Sequence, residues 1–305
     1  MNTVRHRISL KAVGCLAVLL LAVTSLAVSQ SDLENNLKQM GSATVTGYIQ
    51  PVTNTFGADM HSGYFHAADI EKFGFHLRLD FVAMGAAVSD DQKTFDVPIP
   101  AGYGTGTVKG PTVFGGSGAG TEVTDGVFSR RLVPDGVFNI NYMPLIVPQI
   151  TIGNIYGTQA TVRFLPIPEI ENGKVPKITL WGVGVRHNIS QYIPLVPVDL
   201  SAGVYFNSFT FGDMISFKGV AIDGQVSKSF SILTLYGGLQ WENSSMQLTY
   251  IPTSVTEQSV DISMDGTNHF RFIAGLDLGL GPIHIFGDAN LGSVTVFSAG
   301  IGFGN

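Results

Sequence analysis

The chain has 305 residues, of which 45% are hydrophobic and only 13% are charged, about half the charged share of an ordinary soluble protein. Its mean hydropathy is +0.27 and its formal net charge is −6. A negative chain of this kind has no electrostatic footprint for nucleic acid, so that class of partner is excluded. The composition favours a membrane protein or a protein with a very large apolar core.

The first 29 residues have the pattern of a secretory signal peptide. An apolar run at residues 12–23 follows a positive region and precedes a small-x-small site, Ala27-Val28-Ser29. The positive region consists of Arg5, His6, Arg7 and Lys11. The apolar run is shorter than the roughly twenty residues of a membrane-spanning helix. We therefore expect export and cleavage after residue 29. Cleavage would remove Cys15, the one cysteine, and with it disulfides, thiolate catalysis and cysteine metal sites.

Residues 30–71 differ from everything that follows. Leu33, Leu37 and Met40 recur at helical spacing, and Gly41 is a stop signal. The remainder of the segment is rich in aromatic residues and shows no strand alternation. This content favours short helices and turns that pack into or under the next domain over a loose terminus. The candidate packing residues are Tyr48, Phe56, His61, Tyr64, Phe65 and His66.

The first clear strand pattern covers residues 72–84. Its apolar series is Phe73, Phe75, Leu77, Leu79, Phe81 and Ala83, and its polar series is Lys72, Gly74, His76, Arg78 and Asp80. Residues 85–147 are rich in glycine and proline, with short strands predicted near 94–97 and 127–132. We expect a long loop region there, extracellular or folded into the mouth. Its glycine runs lack the strand-to-helix context of a nucleotide-binding loop.

Alternation resumes at Gln149 and continues to the end of the chain. It is clearest at residues 269–280, where six apolar residues face Arg271, Gly275 and Asp277 across the strand. Eleven residues are about the length of a tilted strand that crosses a bilayer. The remaining predicted strands cover 158–165, 177–188, 198–207, 214–226, 231–242, 246–251, 255–264, 282–290 and 293–303.

These patterns predict an all-β protein, a transmembrane antiparallel β-barrel of about twelve strands, with ten to fourteen allowed, at residues 72–305. No apolar run after residue 30 is long enough for a spanning helix, and a closed barrel is the other structure that pairs every backbone group in lipid. The even number follows from closure. Residues 30–71 would form an N-terminal helical plug.

The charges within the strands fall on the polar series, where a water-filled or plugged lumen would receive them. On the lipid side near the midplane an arginine would cost about 2–4 kcal/mol. The candidate lumen-lining residues are His76, Arg78, Asp80, Arg186, Asp199, Glu242, Arg271, Asp277, His284 and Asp288.

The segment Gly63-Tyr64-Phe65-His66 and the strand 181–187, Trp-Gly-Val-Gly-Val-Arg-His, carry a resemblance to a known class of proteins. With them the chain resembles uncharacterised Gram-negative outer-membrane barrels that are loosely similar to the long-chain fatty-acid transporter family. The likeness covers most of residues 31–305 through generic motifs. It implies a location in the outer membrane and contact with its lipid and with the barrel-assembly machinery.

Two constellations have chemical alternatives. Asp59, His61, His66 and Asp69 lie within eleven residues and have the ligand types of a metal site, yet His-x4-His is not a usual zinc spacing. Polar plug-lining groups are therefore favoured, and no metal or cofactor is predicted. His187 and Ser190 could serve an outer-membrane lipid hydrolase, but no nucleophile elbow accompanies them. An enzyme is not predicted.

The preferred functional hypothesis is passive transport, or binding for transport, of small molecules. The aromatic plug favours hydrophobic or amphipathic ligands. The first alternative is a structural or adhesive surface barrel without a conducted substrate, and the second alternative is the lipid hydrolase.

Overall fold

The computed structural model describes residues 30–40, 42–169, 176–251 and 259–304. The predicted signal peptide, the turn signal at Asn172-Gly173 and most of the first half of the predicted strand 255–264 lie outside these ranges. Two helices come first, α1 (Gln30–Gln39) and α2 (Ser42–Met60). Across the described ranges, no helix has the length and apolar character needed to cross a membrane.

Fifteen strands follow in the described part of the chain. Ten form the barrel: β1 (Phe73–Ala87), β6 (Tyr142–Ile155), β7 (Thr158–Ile167), β8 (Ile178–Asn188), β9 (Asp199–Phe211), β10 (Ile215–Phe230), β11 (Leu233–Tyr250), β13 (Phe270–Leu280), β14 (Ile283–Gly292) and β15 (Val296–Gly304). The other five are β2 (Thr94–Pro98), β3 (Thr107–Pro111), β4 (Thr121–Thr124), β5 (Ser129–Val133) and β12 (Val260–Asp265).

The barrel closes through β1, which pairs antiparallel with β6 on one side and with β15 on the other. Every neighbouring pair around the ring is antiparallel, so the predicted all-β antiparallel barrel is confirmed. The strand number is ten, at the lower limit of the predicted range. The estimate of twelve was too high because residues 246–250 continue β11. Above the β11–β13 ladder, β12 takes the place of β13 beside β11.

The two ends of the barrel differ in their connections. At one end, which we call the short-turn end, two-residue turns join β6 to β7, β10 to β11 and β13 to β14. At the other, the long-loop end, residues 88–141 connect β1 to β6 and contain the hairpins β2–β3 and β4–β5. We call residues 88–141 the cap. The predicted long loop therefore carries four short strands of its own.

β6 begins at Tyr142, seven residues before the predicted start at Gln149. Pro144 and Pro148 concealed it, because proline cannot donate to a central ladder. The β6–β7 ladder reaches only as far as the pair Gln149 and Arg163, so the first part of β6 pairs with β1 alone. It is locally an edge, where proline is tolerated.

The outer surface at the level of the short-turn half of the barrel is apolar. Large hydrophobic side chains of the outward series are exposed on all ten barrel strands, whereas most of the inward neighbours are buried polar side chains or glycine. We call this surface the outer belt. Its members include Phe73, Leu79, Phe81, Ile150, Val162, Phe164, Trp181, Val183, Phe206, Ile222, Leu239, Phe272, Leu276, Ile285, Leu291, Phe297 and Ile301.

Towards the long-loop end the pattern inverts. The inward series of β11 changes from Gln240 and Glu242 to Met246 and Leu248, while its outward series becomes Asn243, Ser245, Gln247 and Thr249. The same change to an apolar interior occurs at Val82 and Met84 on β1. This half of the barrel has an ordinary apolar core, and α2 fills it.

The N-terminal segment runs through the lumen from the long-loop end to the short-turn end, and its descent can be followed along β10. The Phe56 ring lies 4.9 Å from the ring of Phe217. His61 lies against Gly219, where a Cβ atom would overlap its imidazole. Ala68 N donates to Ser227 Oγ at 2.9 Å. We call residues 42–72 the plug.

The cap and the plug form one unit at the long-loop end. Val113 N donates to Tyr48 O at 3.0 Å, and Tyr48 Oη donates to Asp135 O at 2.8 Å. Asp135 is itself fixed, because Gly120 N donates to its carboxylate at 2.8 Å. Backbone hydrogen bonds from Gly118 and Gly120 hold the pKa of Asp135 below its ordinary value. The cap is thereby tied to the barrel interior and does not stand apart from it.

Candidate functional site: the plugged lumen

The ten predicted lumen residues all lie on the inward side of their strands. Seven are buried: Arg78, Asp80, Arg186, Glu242, Arg271, Asp277 and Asp288. His76 and His284 are half-buried, and Asp199 is half-buried at the first position of β9, next to Ser227 of β10. They do not converge on one point, and they form separate groups along the lumen.

One group joins β1 and β13 near the short-turn end. Arg78 Nε lies 2.6 Å from Asp80 Oδ1, and Arg78 Nη2 lies 3.2 Å from Asp277 Oδ2. His284 Nδ1 is 2.8 Å from the other oxygen of Asp277. Buried arginine–carboxylate pairs of this kind are expensive to break, since the partner left behind would be an unpaired buried charge.

A second group centres on Arg163, which the sequence analysis did not single out. Its guanidinium donates to two plug carbonyls, Met60 O at 3.2 Å and Ser62 O at 2.7 Å, and to Gln149 Oε1 at 2.8 Å. The same guanidinium lies 3.5 Å from the centroid of the Tyr64 ring. Arg163 is fully buried. Three of its partners belong to the plug, and the fourth, Gln149, lies on the neighbouring strand β6.

A third group surrounds the end of α2. Arg271 donates to Ala58 O at 2.9 Å and to the Ser62 hydroxyl, and it pairs with Glu242. The last turn of a helix leaves carbonyl groups without helical partners and carries the negative end of the helix dipole. Arg163 and Arg271 therefore occupy the position that the physics of a helix C-terminus favours for cations.

The extended part of the plug is held in the same way. Arg186 Nη1 donates to Ala67 O at 2.8 Å, Asn188 donates to Ile70 O, and Gln240 Nε2 donates to His61 O at 3.3 Å. Together with the two arginines at α2, five barrel side chains bind six plug carbonyls. The barrel thus recognises the path of the plug backbone.

The predicted plug residues pack by their rings. Phe56 lies 4.5 Å from Phe209, and Tyr64 lies 4.3 Å from Tyr205, both measured between ring centroids. His66 stacks on Phe286 at 3.5 Å. The other contacts are those of Phe65 with Tyr236 and of Tyr48 with Asn36 and Asp135. Gly182 makes room for this packing, since a Cβ there would overlap the Tyr64 hydroxyl.

The hypothetical metal ligands do not come together. His61 lies 3.8 Å from Glu242, whereas His66 lies on Phe286 with Asp80 3.9 Å away. Asp59 is buried with neither carboxylate oxygen hydrogen-bonded, and Asp69 is exposed near the short-turn end. In the described part of the chain, no three histidine or acidic side chains form a group that could hold a metal ion.

His187 and Ser190 are also kept apart. The imidazole of His187 contacts Thr158 Oγ1 through Nδ1 and Tyr192 Oη through Nε2, both at 2.9 Å. The Ser190 hydroxyl is bound to the backbone of Leu200. A nucleophile needs a base within hydrogen-bonding reach, and here both groups have other partners.

The lumen contains little free space. A cavity between the plug and the barrel wall measures about 50 Å³ and is lined by Tyr64, His66, Ala67, Asp69, His76, Arg78, Asp80, Thr151, Gln159 and Arg186. This volume holds a few water molecules and no lipid-sized ligand. In this state the barrel is closed.

Several important residues escaped the sequence analysis. Arg163 lies on the inward series of β7 with Gln159 and Thr161, so the alternation rule could have identified it. Asp223 and Gln225 bind Tyr205 across β9 and β10, and they continue the inward series of β10. The alternation rule cannot predict which plug carbonyl each side chain binds. The path of the plug through the lumen produces no periodic pattern in the sequence.

Comparisons with known proteins identify one matching family. A family model described as a family of unknown function, DUF6588, matches residues 8–305. No curated protein matches the chain. The matching family model is not that of the long-chain fatty-acid transporters, so nothing further rests on that part of the resemblance.

Several solved structures of outer-membrane barrels are similar to this chain at low identity and low TM-score. Ail, the attachment invasion locus protein of Yersinia pestis, is 11% identical, with 75% of this chain and 95% of Ail covered and a TM-score of 0.28. The N-terminal β-barrel domain of Pseudomonas aeruginosa OprF is 14% identical, with 42% and 87% covered and a TM-score of 0.24. A mutant porin of Rh. blastica is 10% identical, with 76% and 99% covered and a TM-score of 0.17. These are similarities of fold alone, and they carry no argument about activity.

Proposed function

The chain belongs to DUF6588, a family of unknown function, and we propose that it is an outer-membrane surface barrel with a permanently closed lumen, which serves as a structural or adhesive protein through its cap. A structural or adhesive role, the first alternative predicted from the sequence, is thus preferred to transport. The observation that carries it is the plug, which runs through the lumen from one end to the other and is bound there by five barrel side chains.

The free energy of plug binding supports a permanent closure. Val45, Ile49, Phe56 and Met60 are buried on α2, and full burial of such side chains stabilises by about 1.5–3 kcal/mol each. Four of them contribute on the order of 9 kcal/mol before any hydrogen bond is counted. Withdrawal of the plug into water would expose all four side chains again, a cost that the conformational entropy regained by the released chain offsets in part.

The outer belt supports the membrane location. A monomeric soluble protein rarely exposes an apolar surface of this extent. On β10 the outward series is bounded by Lys218 and Lys228, with Val220, Ile222 and Val226 between them. Ten residues at about 3.3 Å each, tilted by about 40°, span about 25 Å, the height of the apolar band on outer-membrane barrels.

The cap supports a role at the cell surface. In outer-membrane barrels the short turns face the periplasm and the longer loops face outward, so the cap would lie outside the cell. At the tip of the β4–β5 hairpin, Val127 is 79% exposed and Phe128 is 67% exposed. Exposed apolar side chains at the end of an ordered hairpin suit contact with another molecule.

Cysteine labelling in intact cells tests the proposal, because the one natural cysteine lies in the predicted signal peptide. Val127→Cys places a thiol on the cap. The matched variant Leu195→Cys places one at the short-turn end, where the Leu195 side chain is fully exposed. A membrane-impermeant maleimide should label the cap variant in intact cells and the Leu195→Cys variant only after the outer membrane is opened. Equal labelling of both, or a protein without a heat-dependent gel shift, would contradict the proposal.

Transport, or binding for transport, of a small molecule is the second candidate. The small cavity beside His66, His76 and Arg78 favours it, since local movement of the extended part of the plug would enlarge that space. An amphipathic ligand suits this cavity, because its lining combines ionisable side chains with apolar surface. Mass spectrometry of the purified protein for a bound small molecule checks this candidate. A reproducible stoichiometric ligand supports it, and its absence in several preparations opposes it.

A further inference from the structure

The outward series of the ten barrel strands contains two charged side chains within the described residues, Lys218 and Lys228. Both lie on β10, at the two boundaries of the outer belt. Their surroundings differ. Lys228 Nζ donates to Pro197 O at 2.6 Å. Pro197 lies in the β8–β9 connection, so this lysine has its partner at the short-turn end of the barrel.

Lys218 is exposed and its ammonium group has no hydrogen-bond or ion-pair partner in the described part of the chain. The nearest carboxylate along its row is that of Asp265, which lies beyond Ser245 in register and makes no ion pair with the lysine. An ammonium group has three donors and no acceptor. At a membrane boundary, the acceptors available to it are water and lipid headgroups.

Lys218 also lines a groove of about 340 Å³ in the outer wall of the barrel. Ser208 and Ser245 flank it directly in register on β9 and β11. Trp181, Phe206 and Val220 form the apolar part of the groove on the side of the outer belt. The groove therefore combines a cation and hydroxyl donors at the boundary with an apolar floor that continues into the belt.

We propose that this groove binds an anionic, phosphate-bearing lipid of the outer leaflet, with its phosphate on Lys218 and the two serines and an acyl chain along Phe206 and Val220. The inference rests on the proposed membrane location. A basic site at the boundary of the bilayer attracts anionic headgroups by about a factor of five per lysine. The hydroxyl donors add hydrogen bonds to phosphate oxygens, and the apolar floor selects a lipid over a free ion.

The test compares Lys218→Gln with the matched control Lys228→Gln in protein purified in detergent. Native mass spectrometry would measure retention of phosphatidylglycerol and of zwitterionic phosphatidylcholine, each added in the same amount. The natural protein and Lys228→Gln should prefer phosphatidylglycerol about fivefold, and Lys218→Gln should show no preference. An equal preference in all three proteins would overturn the proposal.

Inorganic phosphate provides the second arm. At millimolar concentration it should leave the bound phosphatidylglycerol in place, because the acyl chain contributes to binding. Full displacement would show a simple anion site and would also overturn the lipid proposal. The heat-dependent gel shift, measured on all three proteins, separates this result from the proposed function. If the shift is present and the lipid preference is absent, the groove proposal fails while the surface barrel stands.

Discussion

The two halves of β11 have opposite hydrophobic patterns on one continuous strand. From Leu233 to Trp241 the outward residues are apolar or glycine and the inward ones are largely polar, whereas from Asn243 to Tyr250 the outward residues are polar and most inward ones are apolar. The strand itself is continuous, and what differs between its halves is the material that each face contacts. The first half has the plug's polar extended part inside and the outer belt outside, and the second half has α2 inside. In the proposed membrane location, the inversion marks the level at which the barrel leaves the bilayer.

The two halves also hold the plug by different forces. In the long-loop half, α2 is held by apolar packing, as Phe56 is between Phe209 and Phe217. In the short-turn half, side chains of the barrel bind the plug's carbonyls. Packing is strong but weakly directional, and hydrogen bonds from arginine are directional. Packing in the long-loop half therefore supplies most of the stability of the bound plug, and the hydrogen bonds in the short-turn half set the path of its backbone.

The largest expected effect is the loss of packing in the long-loop half. Phe56→Ala should lower the free energy of unfolding by about 3–5 kcal/mol, because it leaves a cavity between two rings in a closed core. Urea unfolding of protein refolded in phospholipid vesicles, followed by the fluorescence of Trp181 and Trp241, measures it. Phe56→Leu is the control and should lose much less. A loss below about 1 kcal/mol for Phe56→Ala would show that α2 is not tightly packed.

A charge on the outward series distinguishes the halves directly. Leu239→Arg places it opposite Gly224, midway between the two belt lysines of β10, and should cost about 2–4 kcal/mol. Gln247→Arg places the same charge outward on the same strand in the long-loop half, where it should change stability by less than about 0.5 kcal/mol. The same vesicle unfolding assay compares them. Equal losses would contradict the assigned membrane boundary.

A smaller effect is expected in the short-turn half. Arg163→Met keeps most of the side-chain volume and removes the bonds to Met60 O and Ser62 O. Each charged hydrogen bond contributes about 1.5–3 kcal/mol, but the apolar replacement also removes the cost of burying the guanidinium, so we expect a net loss of about 1.5–3 kcal/mol. Hydrogen exchange in residues 61–72 of the plug should increase with it, while the body of α2 stays protected. If exchange increases equally in both parts of the plug, the division between packing and path-setting is wrong.

The sequence predicted the barrel because its signal is local and periodic. Each strand carries its own alternation, so the class, the inward placement of Arg78 or Arg271 and the position of the plug segment could all be inferred. The inversion on β1 was also visible, since Val82 and Met84 continue the series of Arg78 and Asp80. It was overlooked because a polar interior was assumed along the entire strand.

The contacts of the plug could not be predicted. Which carbonyl meets Arg163 depends on where α2 ends and how deep the segment enters, and both are set by packing between residues about a hundred positions apart. Pro144 and Pro148 hid the start of β6 for a similar reason. They fit only because β7 leaves that part of β6 unpaired, a fact of tertiary structure that no local rule contains.

Conductance across a planar lipid bilayer tests the closed lumen most directly. The purified protein, shown by its gel shift to be folded, should give no steady channel current at moderate voltage, and Phe56→Ala should at most add brief openings. A stable, reproducible open channel in the natural protein would contradict the account, because a lumen occupied by the plug along its length cannot carry one.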